Sequence, residues 1–175
     1  MTDTKASAPA TDRTPEDATG DDRRWLRRAI ELSRDGMAAD KGGPFGAVIV
    51  KDGTLLSEGS NQVTSDLDPT AHAEVVAIRR ACRAVGDFSL AGCVLYTSCE
   101  PCPMCLSAAY WARVDRIVFA AQRDDAAAAG FDDAHIYREL ALDPGDRSVP
   151  MVTLLRDEAK AVFAEWIEKE DRIPY

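Results

Sequence analysis

The chain has 175 residues, 46% of them hydrophobic and 29% charged, with 30 acidic against 21 basic side chains for a net charge of −9. That length buries one good core and is short for two. The balance is that of an ordinary globular protein. Its acidity and the lack of a Lys/Arg-rich block argue against the basic face by which proteins grip phosphate backbones, so no nucleic-acid partner is expected and a small neutral substrate is favoured.

Residues 1–20 are rich in Thr, Ala, Asp and Pro, which predicts a disordered tail. They have no apolar stretch of the signal-peptide kind and are too acidic for a transit sequence. No segment approaches the roughly eighteen apolar residues that span a bilayer, so no membrane partner is expected and the expected address is the cytoplasm. One folded domain is expected over 21–175. In it, Trp25, Leu26, Ala29, Ile30, Ser33 and Met37 recur at helical spacing, with Arg23, Arg24, Arg27 and Arg28 on the solvated side. Gly42-Gly43-Pro44 breaks this helix, Phe45 to Val50 reads as a buried strand, and Asp52-Gly53 turns it into a returning strand from Thr54 to Ser60.

A polar loop ending in Asp68-Pro69-Thr70 leads to a second helix from Ala71 to Val85, closed by Gly86. Cys93 to Ser98 is a third strand, Pro103 to Ala112 a short helix, and Arg116 to Ala120 a fourth strand. The helical crossover makes the third and fourth strands parallel. Residues 124–142 read as a loop with one or two helical pieces. Val149 to Leu155 predicts a fifth strand, and Arg156 to Glu170 a helix with Ala161, Val162, Trp166 and Ile167 on its apolar face. The fold class is therefore α/β, a three-layer helix–sheet–helix domain around a mixed five-stranded sheet.

The chemistry concentrates in Thr70-Ala71-His72-Ala73-Glu74 and Ser98-Cys99-Glu100-Pro101-Cys102-Pro103-Met104-Cys105. His72, Cys102 and Cys105 supply one imidazole and two thiolates, a donor set that suits Zn²⁺. Structural zinc sites normally take four protein ligands, whereas catalytic ones take three and keep a position for water. Glu74 is then a carboxylate placed to take a proton from that water and return it to a ring nitrogen and a departing amine. A His-x-Glu followed by Pro-Cys-x-x-Cys is the signature of zinc base deaminases, with the Glu as general acid/base. The competing reading is a structural zinc knuckle, for which Cys99 is the local fourth ligand. Five cysteines without a secretion signal argue against a disulfide framework, and Cys82 and Cys93 read as small core hydrophobes.

Asp68 to Glu74, Ser98 to Cys105 and Ala129-Gly130-Phe131-Asp132-Asp133 together resemble the bacterial guanine deaminases of the cytidine deaminase-like superfamily. The resemblance runs from about Arg24 to Tyr175. It implies hydrolysis of guanine to xanthine and ammonia, a step of guanine catabolism, with zinc hydroxide attacking the carbon that bears the 2-amino group. It also implies that Asn61 bonds the purine edge, Phe45 stacks on the ring, and Asp133 accepts from substrate N–H groups and carries protons beside Glu74. A homodimer is implied too, exchanging its C-terminal segment (about 149–175) so that Tyr175 closes the partner's site. Read without the family, Asn61 is a turn residue, Phe45 is core, Asp132 and Asp133 are loop caps, and Tyr175 is a frayed end. Trp111 either lines the pocket or packs in the core. A guanosine, aminotriazine (ammeline-type) or tRNA adenosine deaminase, or a zinc-stabilised scaffold, are the alternatives.

Overall fold

The computed structural model describes residues 19–175, so the tail expected over 1–20 lies almost wholly outside the described residues. Helix α1 (Gly20–Ala38) starts at a capping box: the Asp22 N–H donates to Thr19 Oγ1 at 3.1 Å and the Thr19 N–H donates to Asp22 Oδ2 at 2.9 Å. Its buried stripe runs through Trp25, Ala29 and Gly36. Ile30 and Met37, expected on that face, are exposed. Each follows a buried residue and so points about 100° away from the stripe. Arg23, Arg24 and Arg27 face solvent as expected, while Arg28 is half-buried and forks onto Glu58 at 2.5 and 2.8 Å.

Strands β1 (Gly46–Lys51) and β2 (Thr54–Ser60) form an antiparallel hairpin, turned by Asp52 and Gly53 at φ 49° and 72°. Positive φ at both turn residues matches the strand twist. A one-turn helix α2 (Val63–Asp66), not foreseen, precedes α3 (Ala73–Val85), which Gly86 closes at φ 69°. Then come β3 (Cys93–Cys99), α4 (Pro103–Trp111) and β4 (Arg116–Ala121). Two short helices, α5 (Arg123–Ala128) and α6 (Ala134–Ala141), fill the segment read as a loop with helical pieces, and α7 (Arg156–Glu168) follows.

The sheet order is β2-β1-β3-β4; β1 is antiparallel to both neighbours and β3 runs parallel to β4. Alternate β1 side chains serve opposite layers. Ala47 and Ile49 pack with Ala73, Ala77 and Ala109 of α3 and α4, while Val48 and Val50 pack with Trp25 of α1. Glycine sets the layer spacing at two points. A Cβ on Gly46 would lie 2.2 Å from the Ala29 carbonyl oxygen, and one on Gly59 would lie 2.3 Å from that of Ala73.

The sheet has four strands, not the five expected. Val149 to Leu155 pairs with nothing, and Val149 and Leu154 are 71% and 78% exposed. The apolar residues of α7, including Val162, Trp166 and Ile167, are exposed as well. This C-terminal arm has the local apolar content of buried elements, but its own chain covers little of it: Tyr175 meets the rings of Trp111 and Phe88 at 6.2 and 6.3 Å, and the apolar residues of 149–155 and α7 stay exposed. Among the described residues, no helix is long and apolar enough to cross a membrane.

Candidate active site

Two helix starts converge beyond the carboxyl end of β3. His72 is the N-cap residue of α3, reached through a turn in which the Thr70 N–H donates to Asp68 Oδ1 at 2.8 Å and the His72 N–H donates to the Thr70 carbonyl at 2.8 Å. Cys102 is the N-cap residue of α4, with Pro103 opening the helix and Cys105 in its first turn. Both helices direct their unpaired N–H groups and positive dipole ends at the same point, which favours thiolate.

His72 Nδ1 lies 3.6 Å from Cys102 Sγ and 3.5 Å from Cys105 Sγ, and the three donor atoms all lie within 4.8 Å of one another. Zn–N and Zn–S bonds of about 2.0 and 2.3 Å at tetrahedral angles separate the donors by about 3.6 Å, so the set fits that ion. Cys99 stands apart from the cluster, its Sγ 3.6 Å from the Gln122 carbonyl. Among the described residues the set therefore has three members, the count of a catalytic site.

Residues 19–121 match the protein-family model of the cytidine and deoxycytidylate deaminase zinc-binding region. The chain belongs to this deaminase family. It is 52% identical to guanine deaminase of Bacillus subtilis over 81% of this chain and 91% of that protein. The solved structure of that guanine deaminase superposes with a TM-score of 0.85 at 49% identity, covering 87% of this chain and 98% of that one. A variant protein crystallised with 8-azaguanine superposes with a TM-score of 0.62 at 33% identity, covering 82% of each chain. The tRNA-specific adenosine deaminase of Aquifex aeolicus is 46% identical over 53% of this chain and 62% of its own. Zinc is the deaminase's metal, and His72, Cys102 and Cys105 are placed to bind it.

Beside the metal set the deaminase has a cavity of about 420 Å³. Phe45, Asn61, Glu74 and Asp133 line it together with His72 and Cys102. Glu74 is buried, and that burial pushes its carboxyl above the usual range. On the protein groups alone, the hydrogen bonds from Cys105 and His72 pull the Cys102 thiol down to about 4. The same contact, with burial, holds Cys105 as the protonated member of the pair. The Cys102 contact in turn raises His72. Asp133 is raised first by burial and then by the Cys102 charge, which places it within the field of the metal set.

Asn61 is fixed by the chain around it. Its Oδ1 accepts the backbone N–H groups of Gly43 at 3.2 Å and Val63 at 3.1 Å. Phe45 meets Phe131 edge-on, with centroids 5.0 Å apart and planes at 87°, and a Cβ on Gly43 would touch both rings at 3.1 Å.

Trp111 and Tyr175 lie outside this cavity. α4 starts at the metal set, and its nine residues carry Trp111 about 12 Å along the helix axis from Pro103. Trp111 is neither core nor wall of its own chain's cavity: it is exposed, with its ring 6.2 Å from that of Tyr175. Phe131, Glu100 and Arg123 also line the cavity and were assigned no role from sequence. Phe131 had a signal, its place between Gly130 and Asp132 in the quoted motif. Glu100 likewise stands inside the quoted Ser98-to-Cys105 motif; Arg123 had no signal, since only the parallel pairing of Cys99 with Ala121 brings it to Glu100.

Proposed function

We propose that this deaminase hydrolyses guanine to xanthine and ammonia. The observation that carries the reading is the polarity of the cavity: a buried Glu74 beside a three-donor metal set, with the Asn61 amide and the Asp133 carboxylate in the same walls. Guanine offers acceptors at N7 and O6 and donors at its ring N–H and amino group, the complement of one amide donor and one carboxylate. The guanine deaminase of Bacillus subtilis and the protein that binds 8-azaguanine support this choice of base.

When bound, zinc supplies a Lewis acid that lowers the pKa of a coordinated water. Glu74 takes a proton from the attacking water, delivers it to the ring nitrogen next to C2, and assists the amino group in leaving as ammonia. A C–O bond forms and the C2–N bond breaks, with no change of oxidation state. Phe45 holds the ring plane, Asn61 donates to the purine edge, and Asp133 accepts from the ring N–H and amino group. Asp133 also stands ready to relay protons beside Glu74. The protein acts in the cytoplasm, where its free thiols stay reduced.

The exposed C-terminal arm supports a homodimer in which residues 149–175 cross to a second copy. The outer edge of β4 is open in the four-stranded sheet, and Val149 to Leu155 has the apolar content of a missing neighbour. Tyr175 then closes the second copy's cavity, and Trp111, beside it, enters with it.

The deciding experiment measures ammonia release from guanine, guanosine, ammeline, cytosine and adenine with the zinc-loaded protein. Guanine is expected to be fastest, and a nucleoside ahead by a wide margin overturns the substrate. A tRNA substrate is opposed by the net charge of −9.

A further inference from the structure

We propose that Tyr137 is a positioning residue for Asp133: its hydroxyl ties the start of α6 to the metal-ligand loop and thereby sets where Asp133 stands over the bound base. The inference rests on the guanine reading above, and goes beyond it by naming what holds the substrate's acceptor in place.

Asp133 is the N-cap residue of α6, and its carbonyl accepts the N–H groups of Ile136 at 2.9 Å and Tyr137 at 3.3 Å. Tyr137 is therefore one turn on, along the same side of the helix. The rest of α6 has little hold on the domain, since Ile136 and Leu140 are exposed. Two anchors flank Asp133. Two residues before it, Phe131 is seated on Phe45. Four residues after it, the Tyr137 hydroxyl donates to the Pro101 carbonyl at 3.3 Å, and Pro101 immediately precedes the metal ligand Cys102.

The Tyr137 ring is itself fixed, with the Arg123 guanidinium 5.2 Å above its centroid. The Arg123 backbone N–H donates to Glu100 Oε2 at 3.2 Å, so the support returns to the same loop. The Tyr137 phenol is pushed up first by burial and then by the Asp133 charge, in keeping with the closeness of the two groups. Without the hydroxyl, α6 keeps its helix and its Phe131 anchor but gains freedom to swing Asp133 away from the metal loop.

The test is a double-mutant cycle of Tyr137→Phe and Asp133→Asn in zinc-loaded enzyme, reading kcat/KM for guanine, zinc content and thermal midpoint. Tyr137→Phe is expected to lower kcat/KM roughly two- to ten-fold, the worth of one hydrogen bond, with zinc and midpoint unchanged. In the Asp133→Asn background the same change is expected to have less than about a two-fold effect, because the group it positions is gone. If Asp133→Asn turns over too slowly, the Kd of 8-azaguanine closes the same cycle. Equal losses in both backgrounds, no loss in either, or loss of zinc from Tyr137→Phe overturns the proposal. A wild-type enzyme that leaves guanine untouched instead removes the substrate reading, and this proposal with it.

Discussion

Asn61 spends its side-chain oxygen on the backbone of Gly43, at 3.2 Å, and shares it with the N–H of Val63 at 3.1 Å. Two donors on one oxygen fix which way the amide points, leaving Nδ2 as the group offered to the cavity. Asn61→Asp separates the two roles: one oxygen keeps both backbone bonds, while the other puts a charged acceptor where the donor was. We expect kcat/KM for guanine to fall by at least about 100-fold, as for mismatched polar partners in a buried site, with the thermal midpoint nearly unmoved. Steady-state kinetics beside calorimetry checks this, and an active Asn61→Asp enzyme disproves the donor assignment. Gly42→Ala should lose activity and stability together, because its Cβ would lie 2.1 Å from Asn61 Oδ1.

Glu74 and Cys102 should fail differently. Glu74→Gln removes the proposed proton carrier but no metal donor, so full zinc content by elemental analysis should accompany a loss of about 10²–10⁴-fold in kcat. Cys102→Ala removes one donor of three and should leave the protein short of zinc.

The parts of this site that sequence made legible are those whose geometry is local. His72 and Glu74, or Cys102 and Cys105, are two or three residues apart at helix starts, so their spacing already constrains where they point. Phe45 could be placed at the start of a strand (it stands just before β1), but not against Phe131, because that contact depends on how the segment after β4 returns over the sheet. Val149 to Leu155 misled for the opposite reason. Its pattern is that of a strand, and pattern records the wish for a partner without saying which chain provides it. Trp111 could be put on the metal-bearing helix, but the sequence did not say how far that helix carries it, which is out of its own chain's cavity.

A cluster with no sequence signature ties α1 to the sheet. Asp22, with a side chain only 1% exposed, accepts from the Tyr96 hydroxyl at 2.7 Å and pairs with Arg116. Burial alone raises this carboxyl, but the bonds from Arg116, Thr19 and Tyr96 more than reverse it, holding it well below the usual carboxylate range. A folded-state pKa below the unfolded value of about 3.9 adds stability that is present above pH 4 and lost as pH falls through the folded value. Asp22→Asn should therefore cost about 3 kcal/mol at pH 7 and progressively less on acidification below pH 4. Denaturant melts of both proteins at neutral and acid pH measure the difference, and a constant gap would refute the linkage.

The proposed exchange of the C-terminal arm predicts complementation. A chain truncated before Ile173 and a full-length Glu74→Gln chain should each be inactive alone. Mixed and refolded together, they should regain about a quarter of wild-type activity, because only the truncated chain's site, in a mixed dimer, has both Glu74 and a partner's Tyr175. Activity that never returns on mixing would place Tyr175 over its own chain's site, and a truncated chain active by itself would place it over none.

The approach of Gly59 to Ala73 reaches further than packing. Ala73 sits between His72 and Glu74, and its peptide oxygen rests where any larger residue at 59 would need room. Backbone calibrates this catalyst from behind: a change in one substrate wall alters that wall's own contact, whereas a single methyl on the rear hairpin would tilt imidazole and carboxylate together.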